Sequence, residues 1–223
     1  SSARAMVVAT ICAVLAGLAL VGHGAALADA RPPAPQWPSG PTPFPACGDP
    51  KSPDGLWNDV KDATPAKPGS NRVVVWPNND QSRGYAIHNG AQGGAKYNWL
   101  LLATVRQQGI ECSTLLQSGA PEYFLDAYNE HANWLPNGTD WALGIESADN
   151  RSRDQLHIHI SRLIPDARKD IDKQWKAIAT DESKWKDSVI TVLGKKFRAW
   201  NVATLNHNLF KHLNDDIVTP FKV

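Results

Sequence analysis

"RDQLHIHISRL", from Arg153 to Leu163, alternates polar and apolar residues and reads as a strand with two unlike faces. Leu156, Ile158 and Ile160 share the face that belongs against a core, while Gln155, His157, His159 and Ser161 share the other. Four hydrogen-bonding side chains in a row suit the floor of a ligand site; the plainer use of such a row is a solvated edge strand. Pro165 stops the strand, and "DARKDIDKQWKAIA" (166–179) then reads as an amphipathic helix opened by an acid.

Upstream, "WALGIE" (Trp141–Glu146) is a second strand, joined to the first through the polar loop "SADNRSRD". Before it, "APEYFLDAYNEHANWL" reads as a helix, with Pro121 in its first turn and Phe124, Tyr128, His131, Ala132 and Leu135 on one face. "RVVVW" (72–76), "GYAIHN" (84–89) and "KYNWLLLATV" (96–105) are strands separated by turn-rich segments, as in a meander. A short helix precedes them at Asp54–Asp62, with Leu56, Trp57 and Val60 on one side. "SVITVLG" (188–194) and "KFRAWNV" (196–202) are two further strands, and a last helix lies near Leu205–Asp215. Strands on both sides of one central helix predict an antiparallel α+β fold.

The chain has 223 residues, room for one domain with a real core. Apolar residues make up 42% and charged ones 20%, a globular composition. A formal net charge of +1 gives no basic surface of the kind nucleic acid needs. The nine tryptophans suit core packing first and a ligand groove second.

At the N-terminus, Arg4 precedes the almost uncharged run Met6–Leu27, which ends in "ALADA". Residues 1–30 therefore read as a signal peptide cleaved after Ala28 or Ala30, or as an uncleaved membrane anchor; either exports the remainder. Residues 31–53, rich in Pro, Gly and Ser, read as an extended linker. Cys12 would leave with a cleaved signal, so that Cys47 and Cys112 remain as an even pair in an oxidising compartment.

Two imidazoles on one strand face admit three chemistries. A His-x-His pair is a zinc half-site, but the candidates for a third ligand (His88, His131, Glu146, Asp154) stand at no recognisable ligand spacing, so no metal is expected. His159-Ile160-Ser161 matches half of a paired His-x-Ser/Thr phosphoesterase motif, yet no second copy exists. The third is nucleophilic attack on phosphorus: a neutral imidazole is a good nucleophile near pH 7 and needs no cofactor. Arg106, at the end of its strand, offers a guanidinium fork for a diphosphate, with a solvated surface arginine as the plainer reading. Asp154 and Gln155 are placed to orient an imidazole or bind phosphoryl oxygen, and Arg151 and Arg153 add positive charge.

"RDQLHIHISRLIPDARKDID" resembles the signature of CDP-diacylglycerol pyrophosphatases, a branch of the histidine-triad superfamily. "NWLLLATVRQQGIE" (98–111) is similar to that family's strand ending in Pro-Thr, a basic residue and Gly-Ile-Glu, and "LWNDV" (56–60) to its N-terminal helix. The resemblance covers roughly Leu56 to Leu213 and is most specific around His157–Asp166. It implies a histidine-triad-like sheet with packed helices over residues 54–223. It also implies hydrolysis of CDP-diacylglycerol to CMP and phosphatidate through a nucleotidyl-histidine, with a membrane surface as partner. Both His157 and His159 are candidates for the nucleophile. A triad of His157, His159 and Ser161 would make His159 the central nucleophile, and one of Gln155, His157 and His159 would make it His157; the length of the polar loop Glu146–Arg153 before the first triad residue favours His159. Thr104 and Glu111 enter as substrate-binding residues through the resemblance alone. Ala103 stands where the family pattern has proline, and no cysteine follows "LWNDV". The rivals are a hydrolase of other nucleotide diphosphate esters, a binding module without catalysis, and a secreted metal-binding protein using His157 and His159.

Overall fold

The computed structural model describes residues 4–9, 13–18, 42–90, 97–148, 151–202, 205 and 208–218. Two pieces of the apolar N-terminal segment run as strands, β1 (Arg4–Ala9) and β2 (Ala13–Leu18). The rest of residues 1–30, the linker as far as residue 41, Cys12 and Lys96 lie outside the described residues. β3 (Val73–Val75), β4 (Tyr85–Asn89) and β5 (Asn98–Ala103) form the expected meander. They are followed by β6 (Trp141–Ile145), β7 (His157–Arg162), β8 (Val189–Val192) and β9 (Lys195–Val202). Together the strands make one antiparallel sheet in the order β3-β4-β5-β7-β6-β2-β1-β9-β8. With its packed helices the chain is α+β, as its pattern predicts. No helix among the described residues is long and apolar enough to cross a membrane.

Among the described residues, four α-helices cover the sheet: α1 (Gly55–Val60), α2 (Tyr123–Trp134), α3 (Pro165–Lys173) and α4 (Leu209–Leu213). On one face, Ile158 and Ile160 of β7 join Ile87, Leu101 and Leu143 beneath Tyr123, Phe124 and Ala127 of α2 and Phe210 of α4. Both isoleucines are fully buried, a gain of about 1.5–3 kcal/mol each. On the opposite face, α1 sets Leu56 and Val60 against Val74, Ala86, Leu100 and Leu102. Further along the same face, α3 sets Ala167 and Ile171 against Leu163, Ile190, Val192 and Ala199. On the polar side of β7, His157 is buried while His159 and Ser161 are half-buried.

Two helices differ from expectation. In α2 the buried stripe is Tyr123, Phe124, Asp126, Ala127 and Glu130, while Ala132 is exposed, so the helix is rotated from the purely apolar face. Partners inside the core explain this: Glu130 accepts hydrogen bonds from Tyr85 Oη (2.9 Å) and Trp134 Nε1 (2.9 Å), so its carboxylate is not buried alone. Pro121 lies ahead of the helix instead of in its first turn. The helix expected over 166–179 stops at Lys173, where the Gln174 side chain turns to bond the backbone of Thr191 in β8.

The described part of the linker, from residue 42, is strapped to the domain. Phe44 is buried in the main core, Pro45 accepts from Gln107 Nε2 (2.7 Å), and Cys47 is disulfide-bonded to Cys112. Asp54 then caps α1, one carboxylate oxygen accepting from Trp57 N (2.9 Å). Its other oxygen accepts from Asp154 N (2.7 Å), in the loop that leads into β7.

Candidate functional site

Strand register determines which side chains meet. His159 pairs with Leu100 of β5 on one side and Gly144 of β6 on the other, and Leu100 in turn pairs with His88 of β4. Cross-strand partners point to the same face, so His88, Leu100 and His159 form a row that ends in a residue with no side chain. Two residues beyond Gly144, past the end of β6, Glu146 returns to that face. Asn98 pairs with Ser161 in the neighbouring row.

These residues line a cleft of about 520 Å³ between α1 and the sheet. Its walls include Leu56 and Asp59 of α1, His88 and Asn89 of β4, Asn98, Glu146 and Arg153, with His157, His159 and Ser161 as floor. The ring centroids of His157 and His159 are 5.2 Å apart, edge to face. His157 Nδ1 lies 2.7 Å from the backbone oxygen of Gln155. A carbonyl only accepts, so Nδ1 carries the proton and the lone pair sits on Nε2. That Nε2 is 3.8 Å from Glu146 Oε2.

His159 is held more loosely: its Nδ1 is 3.5 Å from Asn98 Oδ1, which also accepts from Ser161 Oγ at 2.9 Å. Burial, reinforced by the neighbouring His157, holds the His159 imidazole below the ordinary histidine range, and Glu146 only partly opposes this. His159 is therefore neutral at pH 7. At the cleft edge, His88 Nε2 is 3.6 Å from Asp59 Oδ2.

Of the ten residues that sequence reasoning nominated, His157, His159, Ser161 and Arg153 line the cleft. The other six lie around it. Gln155 is fully buried; its amide nitrogen donates to the carbonyls of Ala103 (2.8 Å) and Val105 (2.9 Å), and its oxygen accepts from Arg106 Nη1 (3.0 Å). It departs from the face of His157 because regular pairing of β5 with β7 ends before it and resumes only at the bridge between Gln108 and Gln155. Arg106 is 1% exposed and also reaches the Asp49 carbonyl, so its guanidinium faces inward. Thr104 is buried and donates to the Gln81 carbonyl (2.6 Å). Glu111 and Asp154 both grip Arg151: Glu111 Oε2 at 2.8 Å from Nη1, and Asp154 Oδ1 at 3.1 Å from Nε. This clamp fixes the loop before β7 beside the disulfide.

Asn98, Asp59 and Asn89 were not foreseen as site residues, and Glu146 was weighed only as a metal ligand. A signal for two of them exists in the sequence. "WALGIE" alternates Trp141, Leu143 and Ile145 with Ala142, Gly144 and Glu146, so the acid shares the small-residue face. Asn98 begins an otherwise apolar strand.

A family model described as CDP-diacylglycerol pyrophosphatase matches residues 51–221. A curated CDP-diacylglycerol pyrophosphatase from Yersinia pestis is 35% identical over 108 residues, 43% of this chain and 41% of the relative. The aligned region thus spans less than half of that relative's length. The family match contains the described cleft and its strands, and the chain belongs to the CDP-diacylglycerol pyrophosphatase family.

Proposed function

We propose that the protein is a histidine-triad-like hydrolase that splits the phosphoanhydride of CDP-diacylglycerol, giving CMP and phosphatidate through a nucleotidyl-histidine. The observation that carries this reading is the pair of imidazoles on one cleft floor, one with its tautomer fixed by the Gln155 carbonyl. His157 is the nucleophile, in preference to His159, because its Nε2 lone pair is defined and borders the cleft. It attacks the phosphorus bearing the cytidine, forming an N–P bond as the bond to the bridging oxygen breaks and phosphatidate leaves. A phosphate monoester is a good leaving group, so this step does not require a protonated acid. Water then attacks the same phosphorus, neutral His159 takes its proton, and the N–P bond breaks to release CMP. Arg153 in the cleft wall faces the diphosphate charge. Ser161 and Asn98 hold His159 in place.

The family model and the relative's name support the lipid substrate, which a membrane surface would present. The disulfide favours an oxidising compartment and with it export.

The test is CMP release from CDP-diacylglycerol micelles in EDTA, with protein quenched in alkaline detergent, where an N–P bond persists, probed for a covalent nucleotide. Release that survives chelation, with an acid-labile adduct, is the expected result. Release abolished by EDTA, or turnover without any adduct, would refute the imidazole mechanism. A pH profile of kcat/KM in EDTA gives a second check. Because His159 titrates below the ordinary imidazole value of about 6.5, its loss of activity is expected on the acid side of that value. A limb centred above pH 7 that His159→Gln removes would contradict this role.

A further inference from the structure

Glu146, His157 and His159 each bring one ligand atom within 4.8 Å of the other two. From the geometry we propose that they form a three-ligand site for a borderline transition-metal cation of the zinc class. The bound ion silences the cleft by occupying the imidazole nitrogens; this second half rests on the function proposed above, the binding half on geometry alone.

The spacing is close to what such an ion needs. Tetrahedral bonds of about 2.1 Å place ligand atoms about 3.4 Å apart. His157 Nε2 and Glu146 Oε2 are already 3.8 Å apart, and the Glu146 side chain is 40% exposed, free to close the difference. The outer bonds are also of the right kind. A metal-bound histidine characteristically donates its remaining N–H to a carbonyl or carboxylate, as His157 does to Gln155. His159 Nε2 is buried without a hydrogen-bond partner, an atom that binding of a cation would satisfy. Two imidazoles and one carboxylate select zinc, copper, nickel or cobalt over magnesium and calcium, which prefer all-oxygen sites. The remaining coordination positions open onto the cleft.

The site and the nucleophile compete for the same lone pairs. An ion on His157 Nε2 blocks the N–P bond, so the cation is an inhibitor and the chelated protein the active form. Chelator-treated wild-type protein is titrated with Co²⁺, whose visible absorption reports coordination directly, and then with Zn²⁺ in competition. We expect one ion per chain, binding weakened on the order of 100-fold in Glu146→Gln, and no comparable weakening in Asp166→Asn, an exposed carboxylate on α3. CMP release should fall as the Co²⁺ absorption rises and return with EDTA. No saturable absorption, or equal binding by Glu146→Gln, overturns the site; activity that rises with the ion overturns its inhibitory role. Cobalt binding is read without turnover, so a wild type that binds Co²⁺ but never forms the adduct overturns the hydrolytic mechanism and leaves the metal site standing.

Discussion

His157→Ala is expected to lower CMP release from CDP-diacylglycerol by on the order of 10⁴-fold or more, and to abolish the covalent nucleotide. The size follows from the role: without the nucleophile, no N–P bond can form, and the remaining cleft can only bind and polarise the substrate. The variant also removes a ring that is 6% exposed and bonded to the Gln155 carbonyl. Its thermal melt must therefore be recorded beside its rate, and His157→Asn supplies a polar replacement with less lost volume. His159→Gln separates the two histidines. It leaves the nucleophile in place and removes the base, so the adduct should form and persist while turnover falls about 10²–10⁴-fold. The reverse pattern, a persistent adduct in His157→Asn and none in His159→Gln, would exchange the two roles.

The second large effect is on stability. The Cys47–Cys112 bond closes a loop of 65 residues in the unfolded chain, and replacing both cysteines by serine should cost about 4 kcal/mol on the loop-entropy account. Urea titration of the double variant against oxidised wild type measures this as a lower midpoint with a similar slope. A loss below about 1 kcal/mol would mean that Phe44 and the Gln107–Pro45 bond hold the strap without the covalent link. The consequence extends to activity, because Glu111 adjoins Cys112 and grips Arg151, which braces the loop before β7.

Much of this architecture was legible in the sequence, because strand alternation is a local property. The apolar trio Leu156, Ile158 and Ile160 and the imidazoles on the other face could be separated from one another without any tertiary information. The meander and most strand limits followed in the same way. The fates of Arg106, Thr104 and Gln155 could not be read, since an arginine after a strand looks the same whether it faces solvent or is buried 1% exposed against Gln155. That distinction depends on the strap at residues 44–49, which is distant in sequence from all three. The buried stripe of α2 was missed for a related reason. A glutamate is assigned to the outside until Tyr85 and Trp134, one of them 45 residues away, are known to bond it. Glu146 and Asn98 lie within reach of the same period-two alternation, at the end of β6 and the start of β5.

Asp54 joins two stretches of chain that are far apart in sequence. One oxygen fixes the first turn of α1, the cleft wall, and the other fixes the backbone of Asp154, three residues before the floor begins. The two are 100 residues apart in the chain, yet one carboxylate acts as their common hinge pin. Leu56 on the wall and His157 on the floor are thus linked through one carboxylate that is itself no part of the cleft lining, so the width of the cleft depends on a side chain set behind it.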